Sequence, residues 1–331
     1  MDRRTFLRNS AWCAGGLMAT SALPSFADGK MPSAGATKPD MDVFLGRGGF
    51  ERLTMNYITI EAGATKPFSV LHISDTHLTA AYPHESAKKQ ELKRIRTETF
   101  GGQQENALRD SLAWAKKNVD YVLHTGDLID WQSEANFDLV RKYFGKDMTG
   151  SLGNHEYSPD MWLSDPPIKN DEAFKAPLRA KVQAAFPFDI SLQSQVVNGV
   201  NFVTLDDVFG TVTAAQVDRF AAEVKKGLPI VLGMHVPFYT PAAWRFTARY
   251  WNNRDKRVTS DEVPPPSGDC LRQQEDKVTR EFIAYLKREP LLKGLLVGHE
   301  HIDFEDRFSP TAVQYAVGGN FMFHGREVLF V

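Results

Sequence analysis

Four apolar, β-rich runs in this chain of 331 residues stop where an Asp, a His or a tight turn begins. Residues 68–73 (Phe-Ser-Val-Leu-His-Ile) end at Ser74-Asp75, and 120–124 run into the turn at Gly126-Asp127. Residues 228–234 end at His235, and 291–297 end at Gly298-His299. Short continuous apolar runs of this kind suit strands buried on both faces. Between the first two lies 104–118, where Ala107, Leu108, Leu112 and Ala115 recur at helical spacing. A strand, a helix and a second strand predict a crossover joining parallel strands. Open α/β folds bind ligands in the loops that leave the carboxyl ends of such strands. The chain is therefore expected to gather its polar residues along one sheet edge. Further strands are expected at 200–205 and 328–331, and 55–60 is expected to pair antiparallel with 68–73.

Five short motifs occur in order, four of them at the ends of those runs: Asp75-Thr76-His77, Gly126-Asp127-Leu128-Ile129-Asp130, Gly153-Asn154-His155-Glu156, His235, and Gly298-His299-Glu300-His301. Their donors are carboxylates, imidazoles and one amide oxygen, with no thiolate. This set suits manganese, iron, zinc or cobalt rather than copper or an iron–sulfur cluster. A single Asp or His at a strand end usually caps a turn or fills a polar niche. Agreement of all these residues with one ordered pattern argues instead for a shared metal centre.

The order of motifs resembles that of the calcineurin-like metallophosphoesterases: D-x-H, G-D-x-x-D, G-N-H-[D/E], a lone His, then G-H-x-H. The resemblance implies a four-layer α/β/β/α sandwich of two mixed β-sheets, with a dinuclear site at the carboxyl edge of the strands. It implies that Asp75, His77, Asp127 and His301 hold one metal, and Asp127, Asn154, His235 and His299 the other. A bridging Asp127 is physically sensible, because two cations about 3.5–4 Å apart repel and a shared carboxylate screens them. The resemblance further implies Mn, Fe or Zn ions, a metal-bridging hydroxide as nucleophile, His155 as general acid and Asp130 as the residue that orients it. Purple acid phosphatases place a tyrosine ligand where Asp130 stands. Ser/Thr protein phosphatases carry arginines at the positions of Trp131 and Leu152. The chain is thus expected to be a phosphoric ester hydrolase of the bacterial phosphodiesterase and phosphatase branch. The alternative expectation is a non-catalytic, metal-stabilised binding protein on the same fold.

The amino terminus carries a second signal. Asp2-Arg3-Arg4-Thr5-Phe6-Leu7-Arg8 resembles the twin-arginine export consensus, and a short apolar stretch then leads to Ser25-Phe26-Ala27. That stretch is too short and too broken by glycine to span a bilayer. Residues 1–27 are read as a removable signal, 28–52 as a linker and 53–331 as the catalytic domain, expected in the periplasm or secreted. Cleavage would remove Cys13 and leave Cys270 alone, so no internal disulfide is expected. A net charge of −2 gives no basic stripe for nucleic acid, and the expected partner is a small phosphoester.

Residues 237–270 form a candidate specificity insert. It holds Phe238, Tyr239, Trp244, Phe246, Tyr250 and Trp251, interleaved with Arg245, Arg249, Arg254 and Arg257. Aromatic rings with arginines can stack a planar group and hold phosphate oxygens. Glu156 and Glu300 read as structural, Tyr157 as a pocket-lining candidate, and His72 and His124 as packed beneath the motifs. His84 and His324 read as surface residues at the pocket's edge or beyond it.

Overall fold

The computed structural model describes residues 52–145, 148–160, 172–255, 271, 273–274 and 276–331. The chain divides into two units, Met1–Gly48 and Gly49–Val331, and the first lies outside the described residues together with the signal and most of the linker. The second runs β1 (Thr54–Ile60), β2 (Phe68–Ile73), α1 (Ala87–Thr99), α2 (Gln104–Asn118), β3 (Tyr121–Thr125), α3 (Glu134–Tyr143) and β4 (Met148–Ser151). It continues through α4 (Glu172–Gln183), β5 (Leu192–Val197), β6 (Val200–Leu205), α5 (Ala214–Val224), β7 (Ile230–Gly233) and α6 (Pro241–Asp255). Last come α7 (Lys277–Leu286), β8 (Leu292–Val297), β9 (Phe304–Arg307), β10 (Val313–Ala316) and β11 (His324–Phe330).

Two mixed sheets result, ordered β1-β11-β2-β3-β4 and β5-β6-β7-β8-β10-β9. The strand period of two divides their side chains between layers. In β2, Phe68 and Val70 point between the sheets and meet Phe202, Val231, Leu296 and Phe330. Leu71 and Ile73 point outward, into a core shared with Leu108 and Trp114 of α2 and Val140 of α3. On the second sheet, Ile230 and Leu232 face Phe220 of α5 and Phe282 of α7. Helices therefore cover both outer faces, as the four-layer sandwich requires. Each fully buried Phe or Val of the inter-sheet layer contributes about 1.5–3 kcal/mol.

The expected antiparallel pairing of 55–60 with 68–73 does not occur. The C-terminal strand β11 inserts between them, parallel to β1 and antiparallel to β2. Its last six residues are all buried, whereas β1 alternates between exposed and buried positions. A strand buried on both faces belongs in the middle of a sheet and an alternating one at its edge. The seven-residue link 61–67 is long enough to step over one intervening strand spacing. Another element absent from the sequence reading is α1, whose thirteen residues bury only Leu92.

Candidate metal centre

Each motif leaves the carboxyl end of a strand: Asp75 and His77 follow β2, Asp127 and Asp130 follow β3, Asn154 and His155 follow β4, His235 follows β7, and His299 and His301 follow β8. Strands β2, β3 and β4 are mutually parallel, as are β7 and β8, so each sheet delivers its loops to one edge. Backbone bonds lace the loops together. Asp75 N donates to Gly126 O at 2.9 Å, His77 N to Asp127 O at 2.9 Å, and Gly298 N to His235 O at 3.1 Å. His235 Nδ1 lies 2.7 Å from Thr125 O, which ties one sheet to the other.

Five of the predicted ligands hold left-handed backbone: Asp75, His77, Asp127, His299 and His301, with φ of 54°, 52°, 56°, 70° and 56°. Each such residue costs about 1–2 kcal/mol, and strain of this kind clusters at functional sites. The motif glycines serve close approach. Gly126, at φ 98°, would place a Cβ 2.5 Å from His235 Nδ1, and a Cβ on Gly298 would stand 2.6 Å from Asp75 Oδ2.

Two donor clusters form. In the first, His301 Nε2 lies 3.3 Å from Asp75 Oδ1 and 3.1 Å from His77 Nε2, which is 3.8 Å from Asp127 Oδ2. In the second, His235 Nε2 lies 3.2 Å from Asp127 Oδ2 and 3.2 Å from His299 Nδ1. Asp127 Oδ2 thus stands within reach of both.

These atoms fit cations. Asp75 Oδ1 and Asn154 Oδ1 are buried and accept no hydrogen bond, a costly arrangement for a carboxylate and an amide oxygen unless a cation satisfies them. His77 Nδ1 meets Asp130 Oδ1 at 2.9 Å, which leaves its Nε2 lone pair aimed at His301. Lone pairs of two imidazoles cannot face each other at 3.1 Å without a proton or metal between them. Burial lowers His77 and His299 to about 4, so both present neutral, ligating imidazoles near pH 7. For His235, burial opposes protonation but the Asp127 carboxylate outweighs it and raises the ring to about 10. A cation entering the second cluster would displace that proton.

A third cluster surrounds His155. Its Nδ1 lies 2.9 Å from Asp130 O and 3.0 Å from Asp130 Oδ1, both acceptors, so Nδ1 carries hydrogen. Its Nε2 points toward the metal donors, 3.8 Å from Asp127 Oδ2. Burial works against its charge, yet Asp127 and then Asp130 raise it to about 9.

Asp130 does more than orient His155. Its Oδ1 also accepts from His77 Nδ1, and Arg96 grips it through Nε at 2.6 Å and Nη2 at 3.0 Å. Arg96 comes from α1, whose charge-rich sequence offered little signal beyond a capping Ser86. Its guanidinium sits over Phe100, which stacks on the His77 ring at 4.4 Å and 11°. Phe321 packs edge-on against both His77 and His301. These rings form an apolar wall over the first cluster.

Glu156 holds the motif loops in register. Its carboxylate accepts from the backbone nitrogens of Asp127, Ile129 and Gly153 at 3.0, 3.1 and 2.6 Å. Glu156→Ala would strand three buried donors, and each costs about 1–3 kcal/mol when unsatisfied. A fall in stability of at least about 3 kcal/mol is expected from urea denaturation. A midpoint unchanged from wild type would show that water replaces the carboxylate.

Tyr157 does not line a pocket. It is fully buried, and its hydroxyl donates to Asp206 Oδ2 at 2.8 Å, while Lys175 Nζ holds Asp206 Oδ1 at 3.1 Å. The neighbouring Asp207 accepts from His235 N at 3.0 Å and Val236 N at 3.1 Å. The Lys175, Asp206 and Asp207 contacts escaped the sequence reading because nothing local marks them. His72 and His124 are buried beneath the loops, against Thr125 and Thr76, and burial lowers both to about 3. His84 pairs with Glu134 on the surface. In the candidate insert, Phe238, Tyr239 and Trp244 pack onto the second sheet's core, and Phe246 is exposed. Arg257 and Cys270 lie outside the described residues, as do the side chains of Tyr250, Trp251 and Arg254.

A family model described as calcineurin-like phosphoesterase matches residues 68–303. No curated protein matches the chain by sequence. Among solved structures, a dimetal phosphatase from Danio rerio is 15% identical with a TM-score of 0.44, over 77% of this chain and 88% of that one. A purple acid phosphatase from yellow lupin seeds is 12% identical with a TM-score of 0.43, over 78% of this chain and 45% of that one. An NAD nucleotidase from Haemophilus influenzae is 14% identical with a TM-score of 0.33, over 77% of this chain and 45% of that one.

Proposed function

The chain belongs to the calcineurin-like phosphoesterase family, whose members are phosphoric ester hydrolases, and from that premise we propose that it cleaves small phosphoesters at a two-cation centre with His155 as general acid. Asp75, His77, Asp127 and His301 would hold one ion, and Asp127, Asn154, His235 and His299 the other, as Mn, Fe or Zn. Bound there, the cations would supply Lewis acidity toward a phosphate oxygen and acidify water into a nucleophile near neutral pH.

The remaining chemistry falls to the chain. Asn154 offers a neutral oxygen, so an ion held by its cluster would be offset by less negative charge and would polarise a phosphate oxygen more strongly. His155 binds the departing ester oxygen through Nε2–H and passes it the proton, while its Nδ1–H stays on Asp130. Water then restores the proton to Nε2. The observation that carries this reading is the placement of His155 Nε2 3.8 Å from Asp127 Oδ2 with its opposite nitrogen fixed. The non-catalytic alternative has no feature in its favour, since His155 and Asp130 are both present and bonded.

Assays of p-nitrophenyl phosphate and bis-(p-nitrophenyl) phosphate should show turnover that requires added Mn²⁺ and disappears with a chelator. Chelation should also lower the melting temperature, because ions bind only the folded site. Protein shown to hold two ions that turns over no monoester, diester or pyrophosphate would overturn the reading.

We also propose export by the twin-arginine route, on residues that lie outside the described ones. Replacing Arg3 and Arg4 with lysine should leave active precursor in the cytoplasm, as read by fractionation and immunoblot. Normal export of that variant would remove the proposal. Among the described residues, no helix is long and apolar enough to cross a membrane.

A further inference from the structure

A cleft opens beside His301, and residues far apart in sequence line it: Phe246 and Arg249 of α6, Asp303 after β8, and Met322 and His324 around the start of β11. Among the described residues six large apolar side chains are exposed, and two of them, Phe246 at 47% and Met322 at 38%, meet in this cleft. An exposed aromatic ring and a methionine beside a polar metal centre are costly to keep in water unless something covers them. The Phe246 ring is already aligned for stacking, since it lies parallel to Phe304 at 12° with centroids 6.2 Å apart. Phe246 and Arg249 stand three residues apart, on the same side of their helix. The cleft's one carboxylate is engaged within its own wall: Asp303 meets His324 Nδ1 at 2.7 Å and Arg326 Nη2 at 3.6 Å. The exposed Arg249 guanidinium thus sets the polarity of the rim.

We propose that this cleft binds a planar aromatic group on the organic part of the phosphoester, with its ring against Phe246 and Met322 and Arg249 donating to an acceptor on its edge. His301 lines the cleft and also belongs to the first donor cluster, so a group bound there would sit next to the proposed metal site. The soft methionine and the flat ring adapt to aromatic shapes and gain from sulfur–ring and ring–ring contact. The inference rests on the hydrolase reading above and goes beyond it by naming the class of substrate.

The test compares benzyl phosphate with ethyl phosphate, together with their methyl diesters, because the two departing alkoxides are similar in basicity and differ mainly in the ring. Wild-type protein should favour the benzyl esters by about tenfold or more in kcat/KM, the effect of one well-packed aromatic contact. Phe246→Ala and Met322→Ala, on separate elements, should each shrink that ratio severalfold. Equal kcat/KM for benzyl and ethyl esters in the wild type, or a ratio unchanged in both variants, would overturn the proposal. Calorimetry with benzylphosphonate and ethylphosphonate on Mn²⁺-loaded protein gives a readout independent of turnover. Tighter benzylphosphonate binding that Phe246→Ala abolishes, in a protein that hydrolyses none of the esters, would keep the cleft and sink the hydrolase reading. Hydrolysis without any benzyl preference in rate or binding would do the reverse.

Discussion

Asp127→Asn is expected to lower turnover by more than roughly a thousandfold and to reduce bound metal from two ions per chain to one or none. Its Oδ2 stands 3.2 Å from His235 Nε2 and 3.8 Å from His77 Nε2, so one atom serves both donor clusters. Asparagine removes the negative charge that offsets two neighbouring cations. It also has one oxygen where the carboxylate had two, and the other, Oδ1, accepts the His155 backbone N–H at 2.9 Å. The amide must therefore surrender either the metal or the turn that carries Asn154 and His155. Elemental analysis after gel filtration decides the matter. Two ions retained per chain would show that Asp127 does not bridge.

His155→Ala should slow hydrolysis by about a hundredfold to ten-thousandfold when the leaving alkoxide is basic, and far less for p-nitrophenolate, which departs without a proton. Metal content should stay at two, because His155 belongs to neither donor cluster. Equal losses for good and poor leaving groups would mean that the imidazole positions the phosphoryl group instead of protonating the departing oxygen. Asp130→Asn separates the two roles further. Sequence alone suggests a milder copy of the His155 effect with both metals kept. The structure changes that expectation, because Asp130 Oδ1 also accepts from His77 Nδ1 and the carboxylate is clamped by Arg96. The leaving-group pattern should now come with metal affinity weakened about tenfold to a hundredfold, as for other partners that orient a ligating histidine.

The sequence by itself determined the α/β class, the strands that carry four of the five motifs, and the residues that converge, while β4, which carries Asn154 and His155, left no apolar run to read. Those features are local: apolar runs of strand length, a helix at 104–118 with a 3.6-residue period, and motifs that begin where each run stops. Tertiary structure decided what depends on neighbours distant in the chain. Pairing partners are one case, since 55–60 and 68–73 are adjacent in sequence yet separated by β11, and only the burial of both faces of that last strand reveals why. Arg96 is another, an ordinary arginine in a charged helix until folding sets it against Asp130. Tyr157 looked like a pocket residue and is instead buried on Asp206, and the cleft beside His301 joins Phe246 to Met322 across 76 positions. Periodicity and turn chemistry act over a few residues and leave a mark in the chain. Pairing, burial and second-layer hydrogen bonds are set by which surfaces the whole core brings together, and no short stretch of sequence encodes that.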